Sequence, residues 1–351
     1  MSAPLVLRAL RRRSVLDVPN ERSSHTSPIP RGGGVAPVLG VLAAVVVARL
    51  GHTEAAIALA VATVGFGALG LAEDVSGVPP LRRLMLQVAI ALATLPWLLD
   101  GLGGSLGWRL LFAAGVVFWL VGYVNAFNFM DGINGISVAQ ATVAGLAWLA
   151  VGTIGDAPAL AAGGLIVATA ALAFGPFNFP RARMFLGDVG SYGIGAALAA
   201  LAVVGLRAGV PPEAILAPLA LYLVDTSSTF VRRILIGETW YRPHCDHRYQ
   251  RLVKLGWSHT RTTLFVAAVM AGAGGLGAVS LTGSLAARVI ADVALVALLL
   301  GYLSAPTALR LRRGLPAVEQ AEPAVPAVPD GSAAEPGTVV SRFRQAVRSD
   351  W

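Results

Sequence analysis

Apolar residues in this chain come in long runs, not at the alternating or one-faced spacing of soluble strands and helices. Runs of about 16 to 20 residues, enough to cross a ~30 Å hydrocarbon core as helix, fall near 33–50, 55–72, 84–99, 108–124, 137–153, 159–175, 189–206, 212–229, 263–281 and 286–304. Leu160 to Phe174 is apolar nearly all round, whereas a helix of a soluble domain keeps one face wet. The pattern predicts an all-α, polytopic integral membrane protein with about ten transmembrane helices. Met1 to Ser14 joins a short apolar patch to an arginine cluster. It lacks the cleavage site of a signal peptide and reads as an interfacial helix, or as the remnant of a preceding span. Leu315 to Gly337 is rich in Pro, Ala, Val and Glu without periodicity, the composition of a disordered tail. The organisation expected is an N-terminal segment with a first polar loop over 1–32, a transmembrane domain over 33–305 and a tail over 306–351.

Composition agrees: 56% of residues are hydrophobic and 13% charged, with a mean hydropathy of +0.69. The net charge of +8 rests almost wholly on arginine, Lys254 being the one lysine. Of the 27 basic residues, 23 lie in one alternate set of loops and in the two ends, and only Arg49, Arg109, Arg207 and Arg288 lie in the other set. By the positive-inside rule, both termini and the long loops are expected on the cytoplasmic side of the cell membrane. Arginines scattered through loops do not build a nucleic-acid-binding domain. A single cysteine, Cys245, excludes an intramolecular disulfide.

Polar residues gather in five loops of the basic set. Asp17-Val-Pro-Asn-Glu-Arg-Ser-Ser-His25 leads to Pro30-Arg31-Gly-Gly-Gly34, and Glu73-Asp74 ends one apolar run. Then come Asn125-Ala-Phe-Asn128-Phe-Met-Asp131-Gly-Ile-Asn134-Gly135, Phe185-Leu-Gly-Asp188-Val-Gly-Ser191, and a basic loop from Arg232 to His259. Carboxylates at a hydrocarbon boundary are costly unless they face a metal, a partner or a polar cleft. Asn125, Asn128 and Asp131, three apart, share one side of a helix end, and Asp131-Gly132 could turn backbone N–H groups toward a nucleotide or pyrophosphate. They could equally cap that helix end. Asp188, among glycines, suits a hydrated Mg²⁺, which takes one or two carboxylates plus substrate phosphates; it could instead be an N-cap. Neighbouring Glu73 and Asp74 point about 100° apart on a helix, so one, taken as Asp74, faces a common cleft as a base or metal ligand; a solvated pair is the alternative. His244, His247, Arg248 and Arg251 form a cluster suited to anionic oxygen, and the histidines lack the further ligands of a zinc site. Asp225, near a span end, pairs with an arginine such as Arg232 or lines the cleft.

Taken in order, these five loops resemble the polyprenyl-phosphate N-acetylhexosamine-1-phosphate transferases of the glycosyltransferase family 4 type, relatives of the phospho-MurNAc-pentapeptide translocase. Gln87, one turn into the span after the acidic pair, and Tyr249-Gln250 after His247 belong to the same resemblance. The last loop and Asn134 look most like the branch that initiates O-antigen synthesis. The resemblance implies a UDP-sugar donor, undecaprenyl or another polyprenyl phosphate as acceptor, UMP release and Mg²⁺ dependence, with Mn²⁺ as a substitute and a homodimer as an allowed state. By position it implies Asp188 as the metal ligand and Glu73, Asp74 and Asp131 as further catalytic acids. Asn125, Asn128, Asn134, His244, His247, Arg248, Arg31 and His25 become the substrate-binding set. The chain departs from the family pattern at Glu73, where aspartate is usual, at Asn134, also an aspartate there, and in the expected loss of a first span. Two other readings are a transporter or flippase and an inactive scaffold of the same fold. Spans nearly free of charge other than Asp225 weigh against the first, and Asp188, Asp131 and both histidines against the second.

Overall fold

The computed structural model describes residues 2–12, 16–17, 29–47, 53–237 and 246–315. The chain opens with α1 (Ser2–Arg12), a two-residue antiparallel pair of β1 (Leu16–Asp17) with β2 (Ile29–Pro30), and α2 (Val35–Val47). Then follow α3 (Glu54–Ser76), α4 (Pro80–Leu98), α5 (Leu106–Met130), α6 (Ile136–Ile154), α7 (Pro158–Asn178) and α8 (Gly187–Arg207). A short α9 (Pro212–Leu216) continues through a 3₁₀ turn into α10 (Ala220–Leu235), and α11 (Arg248–Lys254), α12 (His259–Ala278) and α13 (Leu285–Arg312) complete the described chain. The described residues up to Arg310 form one compact unit.

Among the described residues nine segments are long and apolar enough to cross a membrane, one fewer than the sequence predicted. The difference is the segment at 33–50: α2 is described over 13 residues, near 20 Å at 1.5 Å per residue, and residues 48–52 lie outside the described ones. Its start is set by the Gly32–Gly34 turn, whose backbone is tied to the 185–186 segment: Gly33 N–H donates to Phe185 O (2.9 Å) and Gly34 N–H to Leu186 O (2.8 Å). Thr53, Ser105 and Ser258 cap α3, α5 and α12 through their hydroxyls, and proline opens α4, α7 and α9, where its missing N–H costs nothing.

α8 lies at the centre, buried along most of its length, with α3, α5 and α7 packed round it. Small residues let backbones touch: a Cβ built on Gly34 would fall 2.2 Å from Gly190 Cα, and one on Gly70 only 2.1 Å from the carbonyl oxygen of Asp188. Close backbone approach of this kind is how helices associate where lipid offers no hydrophobic drive. At the end of the bundle away from these contacts, two of the minority arginines fasten helix termini. Arg207 donates to the carbonyls of Leu98 and Asp100, and Arg288 pairs with Glu213 at 2.8 Å.

Gly70→Ala is expected to lower the melting temperature, since α3 and α8 must part at a backbone contact and overpacking costs about 1–3 kcal/mol or more. It should also cost activity, because the displaced atom belongs to Asp188. A melt matching wild type would show that the helices can separate freely.

Candidate active site

Asp74 points from the last turn of α3 at the start of α8. Its two oxygens accept the N–H groups of Asp188 (3.0 Å) and Val189 (2.9 Å), and its side chain is 1% exposed. Asp74 is therefore the cap of α8, satisfying donors that the helix itself leaves unbonded. Asp188 stands in the first helical turn, not at the cap position. Gly187, at φ +72°, leaves room for the capping carboxylate: a Cβ there would sit 2.7 Å from Asp74 Oδ2. Arg31, from the turn before α2, bridges the two acids, with Nε 2.7 Å from Asp74 and Nη2 3.0 Å from Asp188. Glu73 turns the other way. Its Oε2 accepts the N–H of Val78 (2.8 Å) and its Oε1 meets Arg83 (3.3 Å), so this longer acid closes the α3–α4 turn and anchors an arginine of α4.

The α5–α6 loop meets this acidic group from the other side. Asn128 accepts a hydrogen bond from Ser191 of α8 at 2.6 Å, and Asn125 exchanges bonds with Gln87 of α4 (2.8 and 3.4 Å). The two N–H groups at Asp131-Gly132 are not free as the sequence suggested. Those of Asp131 and Gly132 bond to the carbonyls of Asn128 and Met130 at the end of α5, and that of Gly135 to Asn178 (2.8 Å). Asn134 donates its amide to the carbonyl of Pro180 (3.2 Å), a bond that an ionised aspartate could not make. What this loop offers the cleft is the half-buried side chain of Asp131.

Burial pushes the Asp131 carboxyl up from its usual 3.8 to about 7, with Asp188 and Asp74 adding repulsion against the opposing effects of Ser137 and Arg31. A carboxyl that binds its proton more tightly folded than unfolded contributes stability that is present below pH about 4 and is lost as the pH rises through about 7. With chelator present, the melting temperature should rise on acidification from pH 8 to 5, and Asp131→Asn should shrink that rise. An unchanged pH dependence in the variant would overturn this reading.

The third wall is the segment from Asp246 onward. Asp225, fully buried in α10, accepts the N–H of Arg248 with both oxygens (3.0 Å each), the hydroxyl of Tyr302 (2.5 Å) and that of Thr229 (3.2 Å), and lies 3.2 Å from His247 Nδ1. Its partners are thus a histidine, a backbone N–H and two hydroxyls, and not the side chain of Arg232. The pairing fixes the His247 ring, which stacks between Phe129 and Tyr249. Tyr249 in turn donates to the carbonyl of Phe129 (3.2 Å) and fills the space that a side chain at Gly132 would need.

His25 and His244 lie outside the described residues, as does most of the first loop. Among the described residues no three His, Cys, Asp or Glu side chains converge on a metal position. Sequence reasoning assigned no site role to Arg83 or Tyr302, whose positions depend on pairing across helices. It also passed over a lateral groove. Leu84, Val88, Leu92 and Leu95 of α4 and Leu110 to Gly122 of α5 enclose an almost purely apolar cavity of about 690 Å³. Two of its lining residues adjoin the Gln87–Asn125 pair: Val88 follows Gln87, and the Val121 carbonyl accepts from the Asn125 amide (2.8 Å).

Comparison with known proteins bears on this arrangement. Residues 56–206, which carry Asp74, the α5–α6 loop and Asp188, match the profile described as glycosyl transferase family 4. The chain is 28% identical over 278 residues to a probable undecaprenyl-phosphate N-acetylglucosaminyl 1-phosphate transferase of Bacillus subtilis, covering 75% of this chain and 76% of the relative. It is 31% identical to the decaprenyl-phosphate N-acetylglucosaminephosphotransferase of Mycobacterium leprae, over 71% of this chain and 72% of that one. A phospho-N-acetylmuramoyl-pentapeptide-transferase of Desulforudis audaxviator is also 31% identical, over 67% and 79% respectively. With its apolar helices and the acidic cleft at their ends, this chain belongs to glycosyl transferase family 4 and is a multi-pass membrane transferase.

Proposed function

We propose that the protein transfers an N-acetylhexosamine 1-phosphate from a UDP-sugar to a polyprenyl phosphate, with its cleft and both termini on the cytoplasmic side. The observation that carries this reading is that the same bundle holds an apolar groove between α4 and α5 and, at the helix ends, the charged group of Asp131, Asp188, Arg31 and the Asp225-held His247. A lipid chain suits the groove, and a charged diphosphate suits the cleft. The relatives' names supply the acceptor class and suggest N-acetylglucosamine as the first sugar to test.

In the reaction an oxygen of the lipid phosphate attacks the β-phosphorus of the donor. A P–O bond to the sugar-bearing phosphorus forms, the bond from that phosphorus to the bridging oxygen breaks, and UMP leaves with the electron pair. Arg31 and Arg248 would offset charge on the phosphates, and His247, held by Asp225 through Nδ1, keeps Nε2 for the leaving oxygen. Asp131 and Asp188 fit a divalent cation such as Mg²⁺, or Mn²⁺, because two close half-buried carboxylates repel each other and hard cations prefer oxygen donors. Such an ion would neutralise the diphosphate. Both oxygens of Asp74 are committed to backbone N–H groups and Arg31, which favours direct attack by the lipid over an aspartyl-phosphate at that residue.

Purified protein with undecaprenyl phosphate, Mg²⁺ and a panel of UDP-N-acetylhexosamines should release UMP only when lipid and one of the sugars are both present. Release without lipid, or none with any sugar, would count against the proposal.

A further inference from the structure

Asp225 ties α10 to α11 through the Arg248 N–H and to α13 through Tyr302; about two turns past these bonds stand Arg232 of α10 and Arg310 of α13, and α11 adds Arg251 beside Arg248, which it shares with the site just described, all four half-buried. Burial, and after it the charges of Arg248, Arg232 and Arg310, push the Arg251 guanidinium below its usual range, with Asp246 alone opposing. Asp246 is already engaged by Arg233 (3.1 Å) and more distantly by Lys254 (3.9 Å). Among the described residues none of the four arginines is paired with a carboxylate, and the Nε groups of Arg248 and Arg310 are buried without an acceptor. Guanidinium groups held together against their own repulsion, with donors left over, form a receptor for an anion of more than one oxygen.

We propose that Arg232, Arg251 and Arg310, with Arg248 as a shared wall, hold the phosphate of an anionic phospholipid in the leaflet beside them. The flanks select a lipid over a soluble anion. α10 and α13 belong to candidate membrane spans, and α10 exposes Val231 (51%) and Leu235 (79%) next to Arg232. A phospholipid would place its phosphate on the arginines and its acyl chains on that apolar surface, whereas a free phosphate gains nothing from it. Basic pockets between spans are suited to such headgroups, and the lipid would fasten α10, α11 and α13, the elements that carry Asp225, His247 and Tyr302.

The test is a melting-temperature titration of the full chain in a neutral detergent with phosphatidylglycerol, phosphatidylcholine or inorganic phosphate. Wild type should be stabilised by phosphatidylglycerol and barely by the other two. The midpoint of that effect should move about fivefold to higher lipid in Arg232→Gln and about 25-fold in Arg251→Gln/Arg310→Gln, from roughly 1 kcal/mol for each basic residue near an anionic surface. Arg109→Gln, an exposed arginine of α5, should leave it unmoved. An equal response to phosphatidylcholine, equal protection by millimolar phosphate, or an unshifted midpoint in the arginine variants would each overturn the proposal. Should the double variant not fold, native mass spectrometry of Arg232→Gln decides: it should retain less phosphatidylglycerol than wild type, and equal retention rejects the site.

Discussion

Asp188→Asn is expected to abolish lipid-dependent UMP release, by about 10²–10³-fold or more on the scale of a lost preorganised charge, while leaving the melt of the protein close to wild type. The separation of the two effects follows from how this residue is held. Its backbone N–H is fixed by Asp74 and its carbonyl by contact with Gly70, so the start of α8 does not depend on the side chain. The carboxylate itself meets Arg31 at 3.0 Å and is otherwise available to the cleft. An amide keeps the shape and loses the charge that would hold a cation against the donor diphosphate. Asp74→Asn should behave differently, losing stability and activity together, because one amide oxygen cannot replace two oxygens that accept from two N–H groups and a guanidinium. Equal stability losses in the two variants, or substantial turnover by Asp188→Asn, would remove Asp188 from the centre of the chemistry.

Asp225→Ala is the second large effect. The carboxylate is fully buried and gathers Arg248 N–H, Tyr302, Thr229 and His247; deleting it leaves several donors without an acceptor inside the protein. Breaking a buried charged network costs about 3–5 kcal/mol, so the variant should melt far below wild type or fail to accumulate. Asp225→Asn is the informative companion. It keeps one acceptor and the volume but lets His247 turn, and activity should fall about a hundredfold, the cost of misplacing a reacting group by roughly 1 Å. The loss should appear in kcat more than in KM for the sugar donor. A variant of normal kcat would show that His247 needs no such anchor.

The all-helical membrane architecture was legible because each span must be apolar over its whole length, a local property that survives without any alignment. The gathering of polar loops at one set of helix ends followed from the alternation of the same spans. The described α2 starts two residues later than the predicted span because Gly33 and Gly34 belong to a turn packed on the 185–186 segment, a contact invisible to a window of sequence. The partners of Asp74 and Asp225 were illegible for the same reason. One is 114 positions from the N–H it caps, and the other is 22 positions from the histidine it orients and 77 from Tyr302. Asp188 and Asp131 could be singled out because an acid beside small residues at a membrane boundary is unusual in itself. The two residues that depart from the family pattern acquired reasons only in three dimensions, Glu73 reaching Val78 and Arg83, and Asn134 donating to Pro180.

The cap on α8 has a consequence for how an anionic donor can be recognised. Many phosphate-binding proteins offer the open amino end of a helix, whose unbonded N–H groups and dipole attract negative charge without any charged side chain. Here that end is already occupied by the carboxylate of Asp74, a negative charge placed where a phosphate would otherwise dock. In the reaction proposed above, a donor diphosphate would therefore be met by whole charges, those of guanidinium groups and of any cation held by Asp131 and Asp188. Recognition built on whole charges is weakened by salt more readily than recognition built on hydrogen bonds, so ionic strength should tax the capture of substrate long before it loosens the helices that frame the cleft.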